Sequence, residues 1–339
     1  MLAYIWFALI GVLVTGYVVM DGLDLGTGII YPFIAKSEED RRVVLRSVGP
    51  VWDGNEVWLL TAGGALFAAF PAVYATVFSG FYLALMLVLF CLILRVGALE
   101  FRPVDPEWRG FWDGVLFVAS ALISLLIGVA AGNLIRGIPL TNAGEFAGNF
   151  FTLLNPFALL VGVTGFVWFM LQGSSWLALK ATGELQKRAA VMRRFSTLAV
   201  IIMFIVTTVL APMLAPTAFA TGTSTLIAFI AAAVAIVGIV MSIVYGSRNR
   251  DLPAFVGSSL VIAGAVGIWA GSVFPNIVPA LGGSGPSLSI AGSSSSNLAL
   301  LAMLIIAAIG VPLVLGYSVL IYRTYAGRIA ASDETDGHY

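Results

Sequence analysis

Two pairs of acids stand where acids are costly. Asp21 and Asp24, in VVMDGLDLGTG, fall late in a long apolar run, and Asp53 and Glu56, in GPVWDGNEVW, repeat the spacing early in the next. Residues three apart share a helix face. A third group, Arg95, Glu100 and Arg102, closes the third apolar run. On insertion scales a charge at the bilayer centre costs about 2.5 to 3.5 kcal/mol, so acids there mark proton or ion routes, or polar partners. The chemistry open to them is the binding and release of protons. Trp52, Asn55 and Trp58 interleave with the second pair and could wall a polar pocket for water and protons, or abut a flat cofactor. Simpler causes account for part of this pattern. Gly49-Pro50 reads as a helix start, where the helix dipole favours acids whatever their role. Arg95 and Arg102 are long enough to snorkel to headgroups. Asp21 and Asp24 lack that excuse, because the dipole disfavours anions in the C-terminal half of a helix.

The elements that hold these groups follow from composition. Of 339 residues, 60% are hydrophobic and 10% charged, and the mean hydropathy is +1.02. That excludes an ordinary soluble globular protein. A spanning helix needs about 20 apolar residues, since every backbone polar group must be paired inside the segment. Nine such stretches are predicted, at 5–33, 51–72, 74–98, 111–133, 151–178, 195–215, 224–245, 253–274 and 298–322. The fold class expected is an all-α integral membrane protein of nine transmembrane helices, one polytopic domain over 1–339. The first run continues through Asp21 and Asp24 without a basic leader or a cleavage site, so it reads as a span rather than a signal peptide. The Gly/Ser-rich stretch 281–297 reads as a flexible external loop. Small residues at helical spacing, Gly22 with Gly26 and Gly267 with Gly271, suit close helix packing.

Cation placement sets the orientation. With nine spans, 16 of the 17 Lys and Arg fall on one face and Arg136 on the other. The positive-inside rule then puts the N-terminus outside and the C-terminus in the cytoplasm. Asp21, Asp24, Asp53 and Glu56 come to one depth, in the cytoplasmic third, with Arg95, Glu100 and Arg102 at the same level. Such a group solvates itself only if the helices face one another around it.

Charge and ligand chemistry exclude other classes. Seventeen cations balance 17 anions, leaving no basic field for nucleic acid. The single cysteine, Cys91, and the single histidine, His338, offer almost nothing to zinc, iron–sulfur clusters or haem iron, so no metal site is expected in this chain.

The runs GYVVMDGLDLGTGIIYPFI, SVGPVWDGNEVWLLTAGGALFAAFPAVYATVFSGFY and LRVGALEFR carry a resemblance to subunit II of the cytochrome bd family of bacterial quinol oxidases. GNFFTLLNPFALLVGV, FPNIVP and GVPLVLGYSVLIYRTYAGR extend it over essentially the whole chain. The resemblance implies a nine-helix subunit of the bacterial cytoplasmic membrane. Its partner would be a pseudo-symmetric, haem-bearing subunit I that holds haem b and haem d, or haem b alone, together with the quinol site; small accessory subunits and lipid complete the assembly. The implied activity is oxidation of quinol and reduction of dioxygen to water, with protons drawn from the cytoplasm and none pumped. Carried over by position, the proton path resembles what Asp21, Asp24, Asp53, Glu56 and Glu100 offer, with Arg95 and Arg102 beside it. Trp52, Asn55 and Trp58 fall in the segment facing the haem-bearing subunit, and the resemblance implies that Arg95 and Arg102 face the haem region or subunit I with them, none of the five as an axial ligand. The family sometimes holds a structural quinone in this subunit, and no residue here marks its contacts. Two other readings use the same acids: a proton-coupled secondary transporter, against which their crowding into the first third of the chain speaks, and a purely structural membrane subunit whose carboxylates only satisfy polar packing.

Overall fold

A computed structural model describes residues 1–216 and 222–330; His338 and the C-terminus lie outside the described residues. The chain runs as α1 (Leu2–Ile34), α2 (Glu38–Val48), α3 (Trp52–Ala69), α4 (Pro71–Gly80), α5 (Tyr82–Val104), α6 (Arg109–Arg136), α7 (Pro156–Lys180), α8 (Gly183–Leu214), α9 (Gly222–Ser247), α10 (Asp251–Val273) and α11 (Asn297–Thr324). A small hairpin, β1 (Asn276–Val278) antiparallel to β2 (Leu288–Ser289), lies between α10 and α11.

Among the described residues, eight helices are long and apolar enough to cross a bilayer: α1, α5, α6, α7, α8, α9, α10 and α11. The sequence led us to expect nine. The missing one is α3, 18 residues long, which spends its first turns on Asp53, Asn55 and Glu56. It still runs the full way. Asn55 near its start meets Asp24 of α1, while Ala68 and Ala69 at its end accept hydrogen bonds from Ser295, beside the hairpin. The expected span 74–98 is corrected too. Residues up to Gly80 form the separate short helix α4, and a break at Phe81 (φ −99°, ψ 16°) starts α5 afresh.

The loops rich in Lys and Arg gather at one end. Arg102 in the last turn of α5 reaches Glu38 of α2, Arg188 of α8 reaches Asp40 of α2, and Arg193 of α8 and Arg328 beyond α11 share Asp251 of α10. At the opposite end, the connection after α6 pairs with the hairpin region through the bridge Ile138↔Ala280. The stretch 281–297, expected to be a flexible linker, is hydrogen-bonded there. Ser284 Oγ accepts from Leu140 N at 3.0 Å, Ser287 Oγ from Ala280 N at 2.9 Å, and Ile290 is fully buried.

α1 is the central post. Every residue from Asp21 to Tyr31 is buried, enclosed by α3, α6, α7 and α10. Glycine makes the enclosure possible. A Cβ on Gly26 would stand 1.8 Å from the carbonyl oxygen of Phe169 on α7, and one on Gly173 would stand 2.1 Å from the carbonyl carbon of Gly26. The two backbones touch, in the manner of small-residue crossings in membranes. The Gly267 and Gly271 face of α10 likewise meets α9, where a Cβ on Gly271 would lie 2.8 Å from Ala228 N.

Candidate functional site

The polar face of α1 is built on a repeat of three and four residues: Tyr17, Asp21, Asp24, then Gly28 and Tyr31. That spacing keeps them on one stripe; Asp21 and Asp24 turn toward α5 and α3, and Gly28 and Tyr31 toward α6. Asp21 is 0% exposed and Arg95 of α5 is 1% exposed. Arg95 Nη1 donates to Asp21 Oδ1 at 2.6 Å, and Nη2 donates to Glu56 Oε1 of α3. One guanidinium therefore joins the first acid pair to the second. Asp24 takes a different partner. Asn55 Nδ2 donates to Asp24 Oδ2 at 2.8 Å, and Tyr322 of α11 donates its hydroxyl to Asn55 Oδ1 at 3.0 Å. Trp58 closes the opposite side, seated where α1 has no side chain: a Cβ on Gly16 would be 2.2 Å from its ring.

Three carboxyls and one guanidinium share this buried site. Ionised throughout, they would carry two net negative charges in a membrane interior, and each proton taken up removes one. The site also holds polar atoms without a protein partner among the described residues: Asp21 Oδ2, Asp24 Oδ1, Thr27 Oγ1, Trp58 Nε1 and Arg95 Nε. Buried polar atoms of this kind are ordinarily served by water. Titratable carboxyls set beside polar atoms with hydrogen-bonding capacity to spare are the groups a proton relay uses.

The structure divides the single slab of charge expected from the sequence into two sites. Arg102 lies two helical turns beyond Arg95 and does not join the inner cluster. Its Nε donates to Asp113 Oδ1 of α6 at 2.5 Å and its Nη2 to Glu38 Oε2 at 3.1 Å. Tyr31 donates its hydroxyl to the same Asp113 oxygen at 2.5 Å, and Arg41 Nη1 donates to Asp113 Oδ2 at 2.8 Å. This outer cluster caps the same stripe of α1 at its Arg-rich end, with Thr27 between the two sites. Glu100 is half-buried on α5, five residues past Arg95 and therefore turned well away from its face. Asp53 is exposed on the surface of the chain, three residues before Glu56.

The residues expected to face a haem-bearing partner are mostly spent inside this chain. Asn55, Trp58, Arg95 and Arg102 are each less than 9% exposed, which leaves no surface for another subunit. Trp52 is half-buried and packs on the core under α2 and α7. Asp53 is the member of that segment turned outward.

Sequence reasoning missed Tyr17, Tyr31, Asp113 and Tyr322. The first two were available from the three-and-four spacing around Asp21 and Asp24. Asp113 sits in a second WDG tripeptide, 112–114, that repeats 52–54. Tyr322 had no local signal, being 267 residues from Asn55. Outside the membrane-facing sites, Asp40 is clasped by Arg188, whose Nη2 is 2.8 Å from both carboxylate oxygens. Burial would raise the Asp40 carboxyl, but hydrogen bonds from Lys36 N, Arg188 and Ser37 N outweigh it and hold the group below its ordinary range.

Among the described residues, no group of three or more His, Cys, Asp or Glu is placed to hold a metal ion. Cys91 is buried in an apolar cluster with Leu25, Ile29 and Ile123. These residues do not fit haem ligation by histidine or thiolate.

Residues 2–325 match the family described as cytochrome bd terminal oxidase subunit II. The chain is 38% identical over 363 aligned residues to a probable cytochrome oxidase subunit 2 of Haemophilus influenzae, with 98% of this chain and 96% of that protein covered. It is 35% identical over 365 residues to cytochrome bd-I ubiquinol oxidase subunit 2 of Escherichia coli, with the same coverage. Against cytochrome bd ubiquinol oxidase subunit 2 of Bacillus subtilis the identity is 32% over 331 residues, covering 96% of each. The fold resembles a chain in the structure of bd oxidase from Geobacillus thermodenitrificans, with a TM-score of 0.80 at 16% identity, over 96% of this chain and 98% of that one.

Proposed function

The chain belongs to the cytochrome bd terminal oxidase subunit II family, and from that premise we propose that its inner acid cluster carries protons toward the site of dioxygen reduction. As a subunit of a quinol:oxygen oxidoreductase, it is a multi-pass protein of the bacterial inner membrane and works with a partner subunit I. Haems of the partner supply the redox chemistry on dioxygen; haem b with haem d, or haem b alone, fits the family, as does a quinol donor and a structural quinone. The described residues offer no histidine and only a buried cysteine to a haem iron, and the part we assign to this chain is protonic.

The observation that carries the reading is the site around Asp21, Asp24, Glu56 and Arg95. A scaffold needs no more than a neutralised pair. Here one guanidinium serves two carboxyls, a third carboxyl is held only by an amide, and free carboxylate oxygens face the same interior. Reduction of dioxygen to water consumes protons, and inside a bilayer they travel through groups that bind and release them. The route we assign enters at the Arg-rich end, which the positive-inside rule puts in the cytoplasm. It passes the Glu38, Asp113 and Tyr31 cluster and Thr27, and reaches Asp24 and Asp21. Glu56 and the outward-facing Asp53 then offer the way out to the neighbouring subunit, with Glu100 as a side member on the far face of α5. Arg95 holds the acids in place and Arg102 orders the entry. Trp52, Asn55 and Trp58 wall the route rather than the haem. The 1–339 chain acts as one membrane-embedded unit, with accessory subunits and lipid on its outer faces.

Asp24→Asn tests this. The substitution keeps the size of the side chain and a partner for Asn55 but cannot release a proton. The expected result is an assembled complex with an unchanged haem spectrum whose oxygen consumption at saturating quinol falls by at least about tenfold, about 1.4 kcal/mol of barrier. Full turnover would remove Asp24 from the route. A complex that fails to assemble would favour the purely structural reading of the same acids.

A further inference from the structure

The polar stripe of α1 continues past Asp21. Tyr17 lies one helical turn farther from the Arg-rich end, close to the middle of the helix. Beyond it the same face passes to Leu13 and Ile10, both buried and apolar, so the Tyr17 hydroxyl is the last polar group the stripe carries inward. The proton route assigned above makes no use of it.

Packing accounts for the ring but not for the hydroxyl. Tyr17 is 3% exposed and sits against Leu13, Trp58 and Ala62, surroundings that would hold phenylalanine as well. The hydroxyl oxygen is buried and faces Asp21, with Arg95 and Glu56 the next nearest charges, yet it closes no hydrogen bond with any described residue. Asp21 Oδ2 is in the same condition. Residues four apart on a helix are neighbours on its surface. Here one brings a bare acceptor and the other a hydroxyl able to donate, and each carries a desolvation cost that a bond between them removes.

The donor and acceptor inventory at Asp21 gives that hydroxyl a task. Arg95 Nη1 holds Oδ1 at 2.6 Å, but a guanidinium has donors only. It serves the ionised carboxylate and offers nothing to a proton arriving on the other oxygen. A phenol hydroxyl can rotate to donate or to accept. We infer that Tyr17 is a further positioning residue of the proton route, its hydroxyl donating to Asp21 Oδ2 while the carboxylate is ionised and turning to accept from Oδ2–H once Asp21 has taken up a proton. The carboxylate gains and loses that proton; the phenol keeps its own throughout. The inference rests on the proposed route through Asp21 and adds the group that holds its proton in place.

The test uses the assembled complex. Tyr17→Phe deletes the hydroxyl and leaves the ring. Proton uptake is followed with a pH-indicating dye as the fully reduced complex meets dioxygen, for wild type, Tyr17→Phe, Asp21→Asn and the double variant. The expected result is an unchanged haem spectrum and thermal half-life in Tyr17→Phe, with uptake slowed about tenfold, the scale of one hydrogen bond to a charged group. Adding Tyr17→Phe to Asp21→Asn should slow uptake no further, since an amide has no proton to pass, and that non-additivity is what a merely structural role would not produce. With isotope-labelled tyrosine, the infrared difference spectrum between reduced and oxidised complex should contain a tyrosine band that Tyr17→Phe abolishes. Uptake at the wild-type rate in Tyr17→Phe, equal slowing with and without the Asp21 carboxyl, absence of the tyrosine band, or failure of Tyr17→Phe to assemble would each overturn the role. Asp24→Asn in the same assay separates this inference from the route. Normal uptake there with slow uptake in Tyr17→Phe removes Asp24 and keeps Tyr17 with Asp21, whereas the opposite pattern removes Tyr17 alone.

Discussion

Arg95 is the residue whose loss separates what the inner cluster costs from what it does. Its guanidinium is the only cation in contact with Asp21 or Glu56 among the described residues, and Asp21 is fully enclosed. Arg95→Met keeps much of the side chain's volume and removes the charge. Breaking a buried pair by deleting one partner costs about 3 to 5 kcal/mol, because the remaining charge is left uncompensated. That is a large share of the roughly 5 to 15 kcal/mol that holds a typical domain together. Glu56, 22% exposed on its side chain, can recover part of its hydration, so the penalty is concentrated on Asp21. Adding Asp21→Asn to Arg95→Met removes the stranded charge and should recover most of the loss. The assay is the yield of assembled complex and its half-life at elevated temperature, compared for wild type, both single variants and the double variant. A single Arg95→Met variant as durable as wild type, or a double variant no better than that single one, would refute the claim that charge compensation at Asp21 holds the cluster together.

Gly26→Leu should prevent assembly outright, since even a Cβ at that position would stand 1.8 Å from the Phe169 oxygen; membrane levels of the complex check it, with Gly11→Leu, where nothing lies within 4 Å, as the tolerated control. The Asp40 carboxyl is held below its ordinary value of 3.8, so the Arg188 clasp stabilises above that pH and is lost as pH falls through the lowered value. Asp40→Asn should therefore flatten the acid limb of stability against pH by no more than about 1 kcal/mol, as suits a partly exposed pair. A reporter active only outside the cytoplasm should be inactive when fused after Tyr339 and active when inserted in 281–297; the reverse pattern would invert the topology and, with it, the direction of the proton route.

The fold was legible where composition decides it. Apolar runs about 20 residues long located the helices, and the spacing of Gly22 and Gly26 announced a close helix approach, whose partner the structure shows to be α7. Legibility failed where polar residues and breaks interrupt a run. α3 buys its place in the membrane through Asn55 and Glu56, whose partners are on α1, α5 and α11, and hydropathy cannot register a cost that tertiary contacts repay. The hydrogen bonds of the Ser-rich stretch likewise depend on distant backbone, that of Leu140, Ala68 and Ala69. In the site, depth brought Asp21, Asp24 and Glu56 together around Arg95 and Asn55, while Asp53 is exposed and stands apart. Depth alone could not say which way Asp53, Glu100 or Arg102 turns. It is Asp113, on a helix whose composition looked featureless, that draws Arg102 away from Asp21.

The central claim is that protons for dioxygen reduction pass through Asp24, and the direct measurement is transient proton uptake by the assembled complex. Fully reduced enzyme is mixed with dioxygen beside a pH-indicating dye, while the haem absorbance is followed in the same shot. For Asp24→Asn the account predicts proton uptake slowed by at least about tenfold, with haem content and the reaction with dioxygen before proton uptake unchanged. Uptake at the wild-type rate in a fully assembled Asp24→Asn complex would contradict it.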